Sequence, residues 1–391
     1  MPYILGLLSP IPVVSNGETF QTLDLWVRDL EVQVTHTSRL KLFCPLLQAP
    51  PANWSGMDLL PKGIEVVPIH ELRRSRISSA VVDCDVVQVP GGQGWHEARG
   101  ARQFMRSAHR LGIKCVVGIS SNRARSALLN AKSGGPLAKL KGFLKYASVQ
   151  CAQRHLTRNA DGTFIVGEGL RSLVSPRCKH LHVGIASWIR QSDLEVALRR
   201  ADQFSDFPMR RLCIAARLER MKGVHLGIEA LAKIVSRPPH SNFELMILGD
   251  GPERESLQEQ VRRANLAELV RFGGTRSYPT EFFGELRRHG LVLLTNLSDE
   301  QPRLVFDAIS QGCIPVCPDA PAYQSLGLPR EVLYRQGDSD SLARTIEQLR
   351  DNQNLPALWS KLLLVGKRFT VEAMHAKRAA WIEADVLGRS V

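Results

Sequence analysis

The chain has 391 residues, 44% of them hydrophobic, with 51 Lys+Arg against 38 Asp+Glu and a formal net charge of +13. That length predicts two domains, and the apolar share supplies a core for both and excludes a broadly disordered chain. No apolar run is long enough for a membrane span, the first residues lack the pattern of a signal peptide, and the eight cysteines form no CxxC and no paired framework, so reduced core thiols of a cytoplasmic protein are expected.

From the N-terminus, strand-like and helix-like runs alternate. Tyr3–Leu8 reads as a buried strand, followed by a loop over Ser9–Glu18 and a helix over Thr19–Leu30. Arg39–Cys44, Ile64–Ile69 and Val86–Val89 read as strands, Arg99–Leu111 as a helix, Cys115–Ile119 as a strand and Leu137–Leu156 as a helix. Phe164–Val166 and His180–Val183 are short strands. A charged helix with few apolar anchors, Ser192–Phe204, reads as a linker with Asp206–Pro208. The alternation then restarts with strand Leu212–Ala215, helix Val224–Val235, strand Glu244–Leu248, helix Glu253–Asn265 and strand Val270–Phe272. In the first of these helices Val224, Ile228, Leu231 and Val235 share one apolar face. Helices near Ser339–Asp351, Ala357–Phe369 and Val371–Val386 follow.

This alternation predicts an α/β fold of two doubly wound parallel sheets, with ligands at the carboxyl ends of the strands. The expected layout is a first domain over 1–190, a linker over 191–208, a second domain over 209–370, and a C-terminal helix over 371–391 crossing back to the first domain.

One stretch, Leu291–Cys317, organises the second half. It reads as a strand (Leu291–Leu294), a polar turn (Asn296, Ser298, Asp299, Gln301), a helix whose apolar positions are Leu304, Val305, Ala308 and Ile309, and a strand from Ile314. A loop entering a helix gathers unpaired backbone N–H groups and favours an anion. With Asp299 and Asp307 beside it, the implied ligand carries phosphate and hydroxyls together, as a nucleotide-sugar does. Three further segments follow strands of the same half. Ala216–Gly223 brings Arg217 and Lys222, a planar fork and a point charge, to one strand end, where both can meet a diphosphate. Gly249-Asp250-Gly251-Pro252 makes a tight turn, and Arg271-Phe272-Gly273-Gly274 ends a strand with glycines that admit a flat base.

In order and spacing these four segments resemble the family-4 retaining glycosyltransferases of GT-B architecture, closely over about residues 205–330 and in outline over the first domain. The family pattern has G-R-L-x-x-x-K-G, G-x-G-P, V-x-F-x-G and Glu-x7-Glu before E-A-x-x-x-G-x-P-V; here these stand as Ala216–Gly223, Gly249–Pro252, Val270–Gly274 and Asp299–Val316. The resemblance implies two Rossmann-like domains facing a central cleft, and transfer of a sugar from a UDP- or GDP-linked donor to a glycan or lipid-linked acceptor. By it Arg217 and Lys222 hold the donor diphosphate, Asp307 the ribose hydroxyls, and Asp299 with the amides of Glu300, Gln301, Arg303 and Leu304 the sugar and phosphates. Gly249, Arg271 and Gly273 complete the donor side, and Gly17 and Asn16 match a glycine loop after the first strand. No metal or cofactor is implied, because the two cations neutralise the leaving group.

The chain departs from the pattern where both glutamates are aspartates, each reaching roughly 1.5 Å less, enough to weaken a placed hydrogen bond. Glu300 offers a contact one register off. Where relatives place a histidine after Val116–Ile119, the chain has Ser120, Ser121, Asn122 and Arg123, which either line the acceptor side or cap the next helix. His96 and Glu168, after other strands, are acceptor-side candidates. Asp83-Cys84-Asp85 precedes a strand and reads as loop polarity rather than a metal site.

From Glu97 to Asp161 no acidic residue intervenes, and the 13 basic residues between them equal the whole net charge. Lys139, Lys141 and Lys145 beside Leu137, Leu140, Phe143 and Leu144 suit an anionic membrane surface, so residues 99–158 are a candidate peripheral contact. A soluble anionic acceptor and a purely solvated face remain alternatives. Nucleic acid is disfavoured, because the window has few aromatics and no binding module. A non-catalytic nucleotide-sugar-binding relative is the alternative that the two aspartates raise.

Overall fold

The computed structural model describes residues 2–51, 54, 56–69, 74–131, 135–185, 187–200, 207–237, 242–298 and 303–389. The chain divides into two units, residues 1–186 with 371–391 and residues 187–370.

In the first unit the strands are β1 (Tyr3–Leu8), β2 (Val13–Ser15), β3 (Phe20–Leu23), β4 (Thr37–Cys44), β5 (Leu46–Leu47), β6 (Met57–Leu59), β7 (Ile64–Pro68), β8 (Val86–Pro90), β9 (Lys114–Ile119), β10 (Gly162–Val166) and β11 (Leu181–Gly184). Seven form a sheet in the order β11-β10-β9-β8-β1-β4-β7, every pairing in it parallel. Successive side chains point to opposite faces of a strand, and both faces are covered. Phe43, Val87 and Val117 pack with Phe104, Met105, Ala152 and Leu156 in one cluster, while Leu42, Val86 and Val116 pack with Leu30, Trp381 and Val386 in another. That is why these strands read as continuous apolar runs.

The second cluster depends on the chain's last turns. Helix Val371–Trp381 and the π-helical turn Ile382–Val386 belong to the first unit. The Trp381 ring stacks on His182 with centroids 5.3 Å apart, and a Cβ added at Gly162 would lie 2.9 Å from the Trp381 ring. His375 is buried here. Its Nδ1 accepts from the Arg378 guanidinium at 2.9 Å, because arginine can only donate, and Nε2 therefore donates to Asp29 at 3.0 Å.

The structure departs from the sequence reading at the first loop. The helix expected over Thr19–Leu30 starts at Asp24 and runs to Thr35, and Phe20–Leu23 is a strand paired antiparallel with Val13–Ser15. Asn16 and Gly17 form the corner. Asn16 Oδ1 accepts from the backbone N–H of Glu18 at 3.0 Å and of Thr19 at 2.7 Å, and Gly17 has φ 95°. Asn-Gly between β-branched residues is a hairpin signal. The hairpin joins a separate small sheet, order β5-β2-β3-β6.

Of the stretch read as a linker, residues 191–200 and 207–208 are described, and they lie in the second unit. Helix Leu194–Arg200 buries Leu194 and Ala197, and the Trp359 indole N–H donates to Ala197 O at 3.3 Å.

The second unit has β12 (Arg211–Ala215), β13 (Glu244–Leu248), β14 (Val270–Gly274), β15 (Leu291–Leu293), β16 (Ile314–Pro318) and β17 (Leu333–Tyr334), in the parallel order β14-β13-β12-β15-β16-β17. Strand order reverses between β12 and β15, so loops leaving their carboxyl ends diverge and open a crevice.

Candidate functional site

The loops at that crevice are laced together by backbone atoms. After β12 the chain passes Arg217, makes a 3-10 turn at Arg220–Lys222, and enters helix Val224–Val235 through Gly223. After β15 comes a loop, residues 295–298, in which Thr295, Asn296 and Ser298 are buried. Thr295 Oγ1 donates to Lys222 O at 2.7 Å, and the Leu297 N–H donates to Met221 O at 2.9 Å. Gly223 has φ 63°, and a Cβ there would lie 2.1 Å from Thr295 O. Only glycine lets the two loops approach so closely. On the other side of β12, Ala216 and Leu218 N–H donate to Leu248 O at 3.0 Å and Asp250 O at 2.9 Å. A Cβ at Gly249, φ 122°, would meet Ala216 O at 2.0 Å. Gly249 N–H in turn donates to Gly274 O at 2.7 Å, which brings the Gly273 strand end alongside.

These loops place Arg217 and Lys222 at one edge of the sheet. Arg217 is 73% exposed and pairs with Glu219 at 2.9 Å, while Lys222 is half-buried. An ion pair this exposed contributes about 0–1 kcal/mol, so the guanidinium can exchange partners at little cost.

Asp307 sits in helix Leu304–Ser310, which follows the same polar loop, and it is 6% exposed. Its Oδ1 accepts from the Tyr278 hydroxyl at 3.2 Å. Tyr278 meets the Trp188 ring edge-on at 6.0 Å, and the Arg303 guanidinium lies over that ring, 2.8 Å from its centroid. Leu304 opens the helix. The structure thus groups Arg303 and Asp307 with two aromatics that the sequence analysis did not single out. For Tyr278 a signal exists, an aromatic–proline pair just past the Gly273-Gly274 strand end; Trp188 gives none. Asp299, Glu300 and Gln301 lie outside the described residues.

One expected residue of the same unit stands apart. Arg271 is in the body of β14, opposite Met246, and lines a cavity of about 210 Å³ with Arg211, Glu244 and Leu269, which begin or precede their strands. It is therefore at the amino edge, away from Lys222. In the first unit, Asn16 and Gly17 are the hairpin corner already described. Ser120 is exposed and Ser121 half-buried after β9. Asn122 Oδ1 accepts from the Arg125 N–H at 2.9 Å and caps helix Arg123–Ala131. Glu168 grips Arg171 through two hydrogen bonds, 2.7 and 3.0 Å, which hold its carboxyl below the usual glutamate range. His96 is exposed and lines a groove beside helix Arg99–Arg110. Asp83 pairs with Lys41 at 2.6 Å, and Asp85 accepts from Ile4 N–H at 2.7 Å, so both are occupied structurally.

Two doubly wound parallel sheets, one with cations and a buried carboxylate at its switch point, define an α/β protein of GT-B architecture. Residues 200–361 match the family model of glycosyl transferases group 1. The whole chain is similar in fold to HepE from Anabaena, solved in complex with UDP-glucose, at TM-score 0.64 and 15% identity, covering 98% of this chain and 100% of that one. It is similar to sucrose-phosphate synthase from Thermosynechococcus elongatus at TM-score 0.63 and 14% identity, covering 97% and 98%. WaaG, a glycosyltransferase involved in lipopolysaccharide biosynthesis, aligns at TM-score 0.60 and 12% identity over 97% and 99%. A sequence comparison with curated proteins gives no match.

Proposed function

We propose that the chain is a retaining, metal-independent glycosyltransferase that moves a sugar from a UDP- or GDP-linked donor to a glycan or lipid-linked acceptor. One observation carries the reading: the Lys222 turn and the loop leading to Asp299 are hydrogen-bonded to each other across the switch point of the second sheet. Negative charge builds on the diphosphate as the sugar–phosphate bond breaks. Arg217, leaving Glu219, and Lys222 meet that charge with two charge-assisted contacts. The departing phosphate oxygen takes the acceptor's proton on the face it vacates, so the donor's anomeric configuration is kept. Asp307, oriented by Tyr278, accepts from the ribose hydroxyls.

The acceptor partner in this reading is lipid-linked and met at an anionic membrane surface on the cytoplasmic side. Helix Pro136–Asn159 supports it. Its first turns expose Leu137, Leu140, Phe143 and Leu144, each more than half exposed, among Lys139, Lys141 and Lys145, whereas its later turns bury Val149, Ala152 and Leu156. No described helix is long and apolar enough to cross a membrane.

A panel of UDP- and GDP-sugars screened by thermal shift should give one preferred donor. Turnover with that donor should yield product of unchanged anomeric configuration; an inverted product, or no stabilising donor in the panel, would overturn the reading. Lys139, Lys141 and Lys145 replaced together by Glu should release the protein from anionic vesicles and leave donor binding intact.

A further inference from the structure

The first unit carries a second concentration of cations that the proposed donor loops do not use. A groove of about 430 Å³ runs beside helix Arg99–Arg110 and is lined by His96, Arg99, Arg102, Gln103, Arg106 and Arg110 among others. The helix buries Ala101, Phe104, Met105 and Ala108 in the core. Its four arginines therefore form a single outer stripe, spaced three or four residues apart and so roughly 5–6 Å along the axis.

Arginines elsewhere in the chain are commonly paired. Arg39 meets Glu65 and Asp83, Arg171 meets Glu168, Arg237 meets Glu347, and Arg262 meets Glu259. The groove, by contrast, has no carboxylate among its described lining residues. Arg102 is fixed in place: its Nη2 donates to Trp95 O at 2.8 Å and its guanidinium lies 4.0 Å from the Trp95 ring centroid. Its Nε is buried with no hydrogen-bond partner. Cations gathered with no carboxylate among the described lining residues favour an incoming anion. The local field agrees. Burial, then Arg106 and Arg99, holds the Arg102 guanidinium below its usual range, and burial, then Arg102 and Arg106, does the same to His155.

We propose that this groove binds a ligand carrying clustered phosphate groups, at a site separate from the donor diphosphate loops of the second unit. Arg102 supplies a fixed donor, Arg99 and Arg106 flank it with planar forks, and Gln103 and Ser107 add neutral donors along the same wall. The phosphates belong either to a soluble oligophosphate or to phosphomonoester headgroups of a lipid surface.

The test uses the full chain at low ionic strength with two probes. The first is inorganic tripolyphosphate, followed by calorimetry. The second is vesicles containing phosphatidic acid, compared with phosphatidylglycerol vesicles of equal charge. Arg99→Gln with Arg106→Gln leaves the Trp95 contact intact, and Arg102→Gln with Arg106→Gln removes it. Each pair should weaken binding of one probe by on the order of tenfold or more. Arg217→Ala with Lys222→Ala should leave the binding that depends on Arg99, Arg102 and Arg106 unchanged, which separates this site from the donor reading. Dependence seen with tripolyphosphate identifies a soluble source, and dependence confined to phosphatidic acid vesicles identifies a headgroup. The proposal is overturned if neither probe responds to the arginine pairs, or if Lys139, Lys141 and Lys145 replaced by Glu weaken tripolyphosphate binding as much.

Discussion

The two units share one winding and differ in what they hang on it. In each, the first main-sheet strand lies inside the sheet, the chain builds outward to one edge, then returns and builds to the other. In the second unit the strand ends carry short loops bound directly to one another, with Gly223 and Gly249 where a side chain would collide with a carbonyl. In the first unit the loop after β1 runs out into a small separate sheet, and the cations sit along helices instead of at strand ends. Winding decides where strand ends gather. Loop chemistry decides whether they gather as a site.

The sharpest break in the comparison is a core substitution that touches one unit only. Trp381→Ala removes a nearly buried indole from the second cluster of the first unit and should cost about 3–5 kcal/mol of that unit's stability. Denaturant unfolding followed by probes in each unit should show the loss in the first, with nucleotide binding by the second unchanged. Next comes the charge at the crevice. Arg217→Ala or Lys222→Ala should lower turnover by on the order of 10²-fold, about 2.7 kcal/mol, with the fold intact by circular dichroism. Near-parental turnover in both would remove these residues from the site.

Smaller effects separate the pieces of the Asp307 cluster. Asp307→Asn should weaken donor binding by on the order of tenfold, since hydrogen bonds to charged groups contribute about 1.5–3 kcal/mol. Tyr278→Phe, which removes only the orienting hydroxyl, should cost about 1 kcal/mol. A Tyr278 effect exceeding that of Asp307 in titration calorimetry would reverse the assigned roles.

Acid should act on the first unit through His375. Burial holds its imidazole below the usual range, and Arg378 and the half-buried His36 push the same way, while Asp29 opposes them without reversing the direction. As pH falls through the ordinary histidine value, about 6.5, the unfolded chain takes up a proton that the folded one refuses. Stability is therefore full above that pH and declines below it, by at most about 1.4 kcal/mol per pH unit from this group. His182, lowered mainly by burial, adds in the same direction. Unfolding at pH 7.5 and 5.5 checks this; a His375→Gln variant that folds should have a flatter profile.

Legibility in the sequence followed the same divide. In the second unit, helix Val224–Val235 and strand Glu244–Leu248 fall where the apolar pattern predicts, because glycines mark their ends and periodicity is strong. The strand from Val270 runs on through Gly274, and Arg271, read with the strand-end glycines, belongs to its body. In the first unit the helix expected from Thr19 begins late, because Asn16-Gly17 sets a hairpin whose pairing is non-local to any helical pattern. Tyr278 reaches Asp307 across 29 residues, and Trp188 is farther still along the chain. Such partners are chosen by the packing of loops, which leaves no period in the sequence.

The return of the last helix to the first unit has a consequence for how the chain is made. A ribosome delivers residues 187–370 in full before residues 371–389 emerge. Until then the surface formed by Leu5, Leu40, Val86 and Val116 has no Trp381 or Val386 to cover it. Completion of the first unit therefore waits on a segment that follows the whole of the second. A stop codon after Thr370 removes nothing from residues 200–361, which match the glycosyl transferases group 1 model, yet strips the first unit of its last helix. Limited proteolysis of that shortened chain should cut within residues 1–186 first, and preferential cutting within 187–370 would show that the early unit closes without its final helix.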